Sequence, residues 1–156
     1  MEDVKMETIV CAVDFSEPSD HALEYALMMG SSFGARLMLL HVIEVPFLPS
    51  YSMGGVPDLD LPLEQLEESA RERMEEVLSD CREQYDGVEG EVVAGSPFVE
   101  IINYAREVKA DMIVMGTHGR SGLKHLLIGS VAEKVVRKAP CPVLTVKHPE
   151  QDFEMP

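Results

Sequence analysis

No stretch of this sequence approaches the roughly 20 apolar residues that a membrane-crossing helix requires, so a membrane protein is not expected. Met1 to Lys5 carries three charged side chains and no apolar run, which does not read as a secretory leader. Cysteine is scarce. The three residues are odd in number, and their spacing fits neither a disulfide framework nor a zinc site. Cys11 lies in an apolar run, Cys81 on an expected helix and Cys141 between two prolines, as idle thiols in a reducing, cytoplasmic compartment would. Basic residues are also few, 13 against 28 acids, for a formal charge of −15. Such a surface repels nucleic acid and anionic lipid, so neither is an expected partner. There is no internal repeat and no sign of a second domain.

What is present suits one globular domain. The chain has 156 residues, 46% of them apolar and 26% charged, which is enough to build a core and too apolar for disorder. We expect a core at about 7–147 and an acidic tail at 148–156. The charge is uneven. Between Gly116 and Lys147 stand six basic residues (Arg120, Lys124, Lys134, Arg137, Lys138 and Lys147) and one acid, Glu133. This basic island suggests a bound anion. Lys134, Arg137 and Lys138 could instead complement a helix C-terminus, but that does not account for Arg120 or Lys124.

Periodicity supplies the elements. Thr8 to Val13 reads as a strand. Ser16 can cap a helix with Pro18 in its first turn, and Ala22, Leu23, Ala26, Leu27, Gly30 and Phe33 recur at helical spacing up to Gly34. Leu37 to Val42 is a second strand. Pro46 to Pro62, rich in Pro, Gly and Ser, is a long loop expected to be mobile or to cover a site. Leu63, Leu66, Ala70, Met74, Val77, Leu78, Cys81 and Tyr85 form one stripe of a second helix. Val88 to Val93 suits an edge strand. A third helix starts at Ser96-Pro97 with Val99, Ile102, Ala105 and Val108 inward, and Met112 to Met115 is a fourth strand. A helix from about Ser130 to Lys138 and a strand from Pro142 to Val146 complete the order βαβαβαβαβ. Alternation of this kind predicts a Rossmann-like three-layer α/β/α domain with a five-stranded parallel sheet, ordered 3-2-1-4-5. Ligands in such sheets bind where the strand order reverses, here beyond Val13-Asp14 and Met115-Gly116.

At that point the sequence reads Gly116-Thr117-His118-Gly119-Arg120-Ser121-Gly122, and nine residues after Gly119 comes Gly129-Ser130. Glycines let backbone N–H groups turn toward an anion, and a helix start adds free N–H groups and a favourable dipole. The Ser130 hydroxyl and Arg120 can add hydrogen bonds. Glycine-rich turns are also common simply as connections between strand and helix. The spacing is neither a Walker A loop nor a dinucleotide fingerprint. His118, Lys124 and His125 could reach a phosphate or point to solvent. His41, after four apolar residues, reads as a satisfied core or rim histidine.

The motif Gly116, Gly119, Gly129, Ser130 resembles the G-x2-G-x9-G-[S/T] signature of the ATP-binding branch of the universal stress protein family. Ile9-Val10-Cys11-Ala12-Val13-Asp14-Phe15-Ser16-Glu17, Leu39-Leu40-His41-Val42 and Ala139-Pro140-Cys141-Pro142-Val143-Leu144-Thr145-Val146 are similar to the same family, which makes the likeness run from about Glu7 to Lys147. The resemblance implies ATP, or AMP or ADP, as ligand. Asp14 would meet the ribose hydroxyls, with Ala12 and Val13 flanking base and sugar and the Val42 backbone holding adenine. Gly116, Thr117, His118, Gly119, Arg120, Gly129, Ser130 and Val131 would form the phosphate side. Mg or Mn would bind through phosphates and water, with no protein ligand. The resemblance also implies a homodimer through Pro142 to Val146, and a nucleotide-dependent switch acting through an unidentified protein partner. No catalytic base stands in the motif. A weak ATPase or nucleotidyl-transfer enzyme in the same pocket, or an interaction module without nucleotide, are the alternatives.

Overall fold

The computed structural model describes residues 4–45, 63–118 and 128–149. Five strands, β1 (Thr8–Ala12), β2 (Arg36–Glu44), β3 (Val88–Gly95), β4 (Met112–Gly116) and β5 (Val143–Val146), alternate with four helices. The helices are α1 (Glu17–Phe33), α2 (Leu63–Gln84), α3 (Pro97–Glu107) and α4 (Ser130–Lys138). All pairings are parallel, in the order β3-β2-β1-β4-β5. This is the expected α/β architecture. The loop at Pro46 to Pro62, the centre of the glycine motif from Gly119 and the tail beyond Pro149 lie outside the described residues.

The two-residue period of a strand sorts its side chains between two cores. Ile9, Cys11 and Val13 of the β1 segment, Leu37 and Leu39 of β2 and Val114 of β4 pack with Ala22, Ala26 and Leu27 of α1 and with Met74, Leu78 and Cys81 of α2. The intervening Val10, Met38, Leu40, Ile113 and Met115 pack with Ile101 and Ala105 of α3 and with Ala132 and Val135 of α4. Strands buried on both faces must be nearly continuous in apolar residues, and β1 and β2 are.

Local signals set the helix ends. Ser16 caps α1 by accepting from the Ser19 N–H, and Gly34 ends it with φ 65°, a left-handed turn that glycine adopts without strain. Strand ends drift by one or two residues from the expected ones. The last strand starts at Val143 because Pro142 has no N–H, although its carbonyl still accepts from Ile113 N–H at 3.0 Å.

Two side chains expected inside are exposed. Val99 lies about a third of a turn from the mean direction of Ile101, Ile102 and Ala105, whereas Phe98 lies close to it and packs inward in its place. Phe33 is exposed at the last turn of α1; the space beside Gly30 at that end is filled by the Tyr85 ring, whose hydroxyl donates to the Ala35 carbonyl at 2.9 Å.

Removing the α1 cap with Ser16→Ala should cost about 1 kcal/mol in urea denaturation. A second expectation concerns alkaline pH. Burial pushes the Tyr104 phenol up to about 12, and the Glu91 carboxylate beside it adds to the shift. The folded state therefore holds this proton more tightly than the unfolded chain. That contribution is complete below the ordinary phenol value of about 10 and disappears as pH rises toward the folded value. Thermal unfolding followed from pH 9 to 12 should fall less steeply in Tyr104→Phe than in the parent.

Candidate functional site

Crossovers leave the sheet in opposite directions on either side of β1 and β4, and a cleft of about 550 Å³ opens above their C-terminal ends. Its lining includes Ala12, Val13 and Asp14 from the end of β1 and Val42 from β2. Gly116, Thr117 and His118 line it from the end of β4, and Gly129, Ser130 and Val131 from the start of α4. Ten sequence-predicted positions, far apart along the chain, thus share one cavity. The other two, Gly119 and Arg120, lie outside the described residues, as do Lys124 and His125.

On the β1 side a polar network shapes the turn into α1. Asp14 Oδ1 accepts from the Ser16 N–H at 3.0 Å and from the Ser16 hydroxyl, and the Asp14 N–H donates to Ser19 Oγ at 3.0 Å. Between them Phe15 adopts φ 61°, a left-handed conformation costly for a bulky residue. Its ring lies 4.3 Å from that of His41. His41 is buried and its Nδ1 stands 2.8 Å from the Val13 carbonyl, which can only accept, so Nδ1 carries the proton and donates. His41 is therefore a satisfied histidine that also lines the cleft.

On the β4 side the chain returns close to itself. Thr117 N–H donates to the Val146 carbonyl at 3.1 Å, and Gly129 N–H donates to the Thr117 carbonyl at 2.6 Å. This pins the start of α4 to the end of β4. A Cβ at Gly129 would lie 3.0 Å from the Thr117 oxygen, and one at Gly116 would lie 3.1 Å from the Pro18 oxygen. Gly129 has φ −71°, so close approach of backbone to backbone, rather than a left-handed turn, demands glycine there. His118 is buried, its Nδ1 3.1 Å from Thr117 Oγ1. Glycine at the cap position provides no capping side chain for α4, and the helix start at Gly129 and Ser130 lies on the cleft's lining.

The basic island divides. Arg137 pairs with Glu133 at 2.7 Å on the surface of α4, while the ammonium groups of Lys134 and Lys138 lie 4.9 and 5.8 Å from the Phe98 ring centroid. These three cations serve the outer face of α4 and do not line the cleft. Among the described residues no three His, Cys, Asp or Glu side chains come together to hold a metal ion.

The sequence reading missed one wall. Leu66, Ser69, Ala70 and Arg73 of α2 line the cleft, with Pro97 and Ile101 of α3 also on its lining. The helical spacing of the α2 residues is visible in the sequence, but nothing local says which part of that stripe leaves the core and faces a cavity. Arg73 lies 5.5 Å from the Phe15 ring centroid. Burial raises the Asp20 carboxyl above its usual range, and Arg73 opposes that rise.

Comparison with known proteins supplies the family. A universal stress protein of Methanocaldococcus jannaschii, MJ0531, is 37% identical over 92% of this chain and 84% of its own length. Universal stress protein UspA from Lactobacillus plantarum has a TM-score of 0.77 at 25% identity, covering 92% of this chain and 99% of that one. A universal stress protein from Archaeoglobus fulgidus, solved in complex with dAMP, has a TM-score of 0.60 at 26% identity, covering 92% and 98%. The family model for the universal stress protein family matches residues 5–147, and the chain belongs to that family.

Proposed function

We propose that the cleft binds an adenine nucleotide, with ATP as the main ligand and AMP or ADP as alternatives, and that the protein acts as a nucleotide-dependent switch in a stress response. The observation that carries this reading is the start of α4. Gly129 and Ser130, at a helix N-terminus that favours anions, line the same cavity as Asp14 and Val42. The Archaeoglobus relative solved with dAMP supports it.

In this reading Asp14 accepts from the ribose hydroxyls, Ala12 and Val13 flank base and sugar, and the Val42 backbone meets adenine. Gly116, Thr117, His118, Gly119, Arg120, Gly129, Ser130 and Val131 surround the phosphates. A Mg or Mn ion is held through phosphates and water. Three free cysteines fit a cytoplasmic protein.

Gly129→Val should weaken ATP binding at least tenfold, equivalent to about 1.4 kcal/mol, since its side chain crowds Thr117 and the anion alike. Ser130→Ala should cost less, because the helix N–H groups remain. Titration calorimetry, with circular dichroism as the folding control, decides this. A folded Gly129→Val that binds ATP as tightly as the parent places the phosphates elsewhere.

We also propose a homodimer through β5. Among the described residues this strand pairs only with β4, at the edge of the sheet, and Val143, Leu144 and Thr145 are only half-buried. A two-fold contact would cover that edge. Light scattering at micromolar concentration should give twice the chain mass of 17.3 kDa; the monomer mass would rule the contact out.

A further inference from the structure

Helix α1 carries a second stripe that neither core uses. His21, Tyr25 and Met28 stand at i, i+4 and i+7, on one side of the helix. Tyr25 is 41% exposed and Met28 56%, whereas Ala22 and Ala26 on the opposite side are fully buried. Met29, next to Met28 on the helix, and Leu144 of β5 are half-buried at the edge of the core beneath α1. The exposed stripe and this edge make an apolar shelf beside the last strand, a surface that calls for a cover.

The chain itself arrives at the head of this stripe. The His148 ring, just past the end of β5, lies 5.8 Å from that of His21, and the backbone turns at Pro149. His21 in turn meets the Tyr25 ring edge-on at 5.3 Å. β5 runs parallel to β1, and α1 is the crossover that returns from β1, so α1 runs back alongside β5 from its C-terminal end. A chain that reverses after Pro149 passes His21, Tyr25 and Met28 in that order. Residues 150–156 lie outside the described residues, but their sequence is informative. Glu150, Asp152 and Glu154 alternate with Gln151, Phe153 and Met155, the two-residue period of an extended segment with one acidic and one largely apolar side. The helix rises about 10 Å from His21 to Met28, and the five residues from His148 to Phe153 can span up to about 17 Å, so Phe153 reaches the stripe with length left for the turn.

We propose that residues 150–156 dock on α1 of their own chain as an extended segment, with Phe153 against Tyr25 and Met28 and the three carboxylates toward solvent. Removing an aromatic ring and an exposed apolar stripe from water drives the contact. The alternation matters because α1 carries acids of its own, Glu17, Asp20 and Glu24. A docked segment has to turn its carboxylates away from the helix, and the two-residue period does this at every acidic position. The docking needs neither the nucleotide nor the β5 contact.

The chain has no tryptophan, so a single introduced one reports its own surroundings. In the full chain, Phe153→Trp should show fluorescence emission shifted to the blue of the same variant in denaturant, and the shift should not depend on protein concentration. Asp152→Trp, on the acidic side of the segment, should emit as an exposed tryptophan. Adding Tyr25→Ser and Met28→Ser, both at exposed positions where the fold tolerates change, should abolish the blue shift of Phe153→Trp, with circular dichroism as the folding control. Exposed emission from Phe153→Trp, or a blue shift that survives the loss of Tyr25 and Met28, overturns the docking. An equal blue shift from Asp152→Trp overturns the alternating, extended arrangement. A shift that grows with concentration places the segment on another copy and overturns docking within the chain.

Discussion

The parallel pairing of β1 with both β2 and β4 is the constraint from which the site follows. Ile9, Val10 and Cys11 are paired on one side to Leu37, Met38 and Leu39 and on the other to Met112, Ile113 and Val114. Parallel neighbours require crossover helices, and the chain crosses in opposite senses on the two sides of β1, which places α1 and α2 against one core and α3 and α4 against the other. The cleft opens above the gap between β1 and β4, where the strand order reverses. The β1 segment has to be apolar on both faces to hold this position, and Cys11 illustrates the demand. Its thiol is wholly buried, and desolvation pushes its ionisation far above the usual range, so it behaves as a small apolar group rather than a nucleophile.

The two lips of the cleft are built differently. The β1 lip is held by side chains. Asp14, Ser16 and Ser19 close a polar turn, so the first N–H groups of α1 find a partner within the protein. The β4 lip is held by backbone. Thr117 is tied to Val146 and Gly129 to Thr117, and the missing Cβ at Gly129 allows the second contact. One helix start is therefore capped by a side chain, and the other begins on the cavity's lining at Gly129 and Ser130.

Much of this was legible beforehand, for identifiable reasons. The run Leu37 to Leu40 is apolar at every position because β2 is covered on both faces, and that continuity marks a parallel strand. Ser16 and Gly34 bracket α1 because capping is a local event. The ten described site positions could be placed together because strand order alone puts the ends of β1 and β4 side by side. The error at Val99 came from choosing the wrong phase of a short helix, since Phe98 and Val99 are both apolar and only the packing partner distinguishes them. The basic island divides for a related reason: charge counted along the chain ignores direction, and three of its cations lie on the outer face of α4 around Glu133 and Phe98, while Arg120 and Lys124 lie outside the described residues.

By itself the sequence determined the nine elements, their parallel arrangement and the place where the strand order reverses. Each of these follows from side-chain periodicity, capping and crossover geometry, which act over short stretches of chain or by general rule. Tertiary structure alone decided which part of the α2 stripe is core and which is cavity wall, because Leu66, Ala70 and Met74 are all apolar and differ only in what stands opposite them. It decided why glycine suits position 129: at ordinary backbone angles a Cβ there would press against the Thr117 oxygen at 3.0 Å, beside the 2.6 Å hydrogen bond that joins the two residues. It also decided the surroundings of Phe15, whose ring meets a histidine from β2 and an arginine from α2 while its backbone holds φ 61°. Contacts between residues distant in sequence depend on the relative placement of whole elements, and no local pattern of residue types encodes that placement.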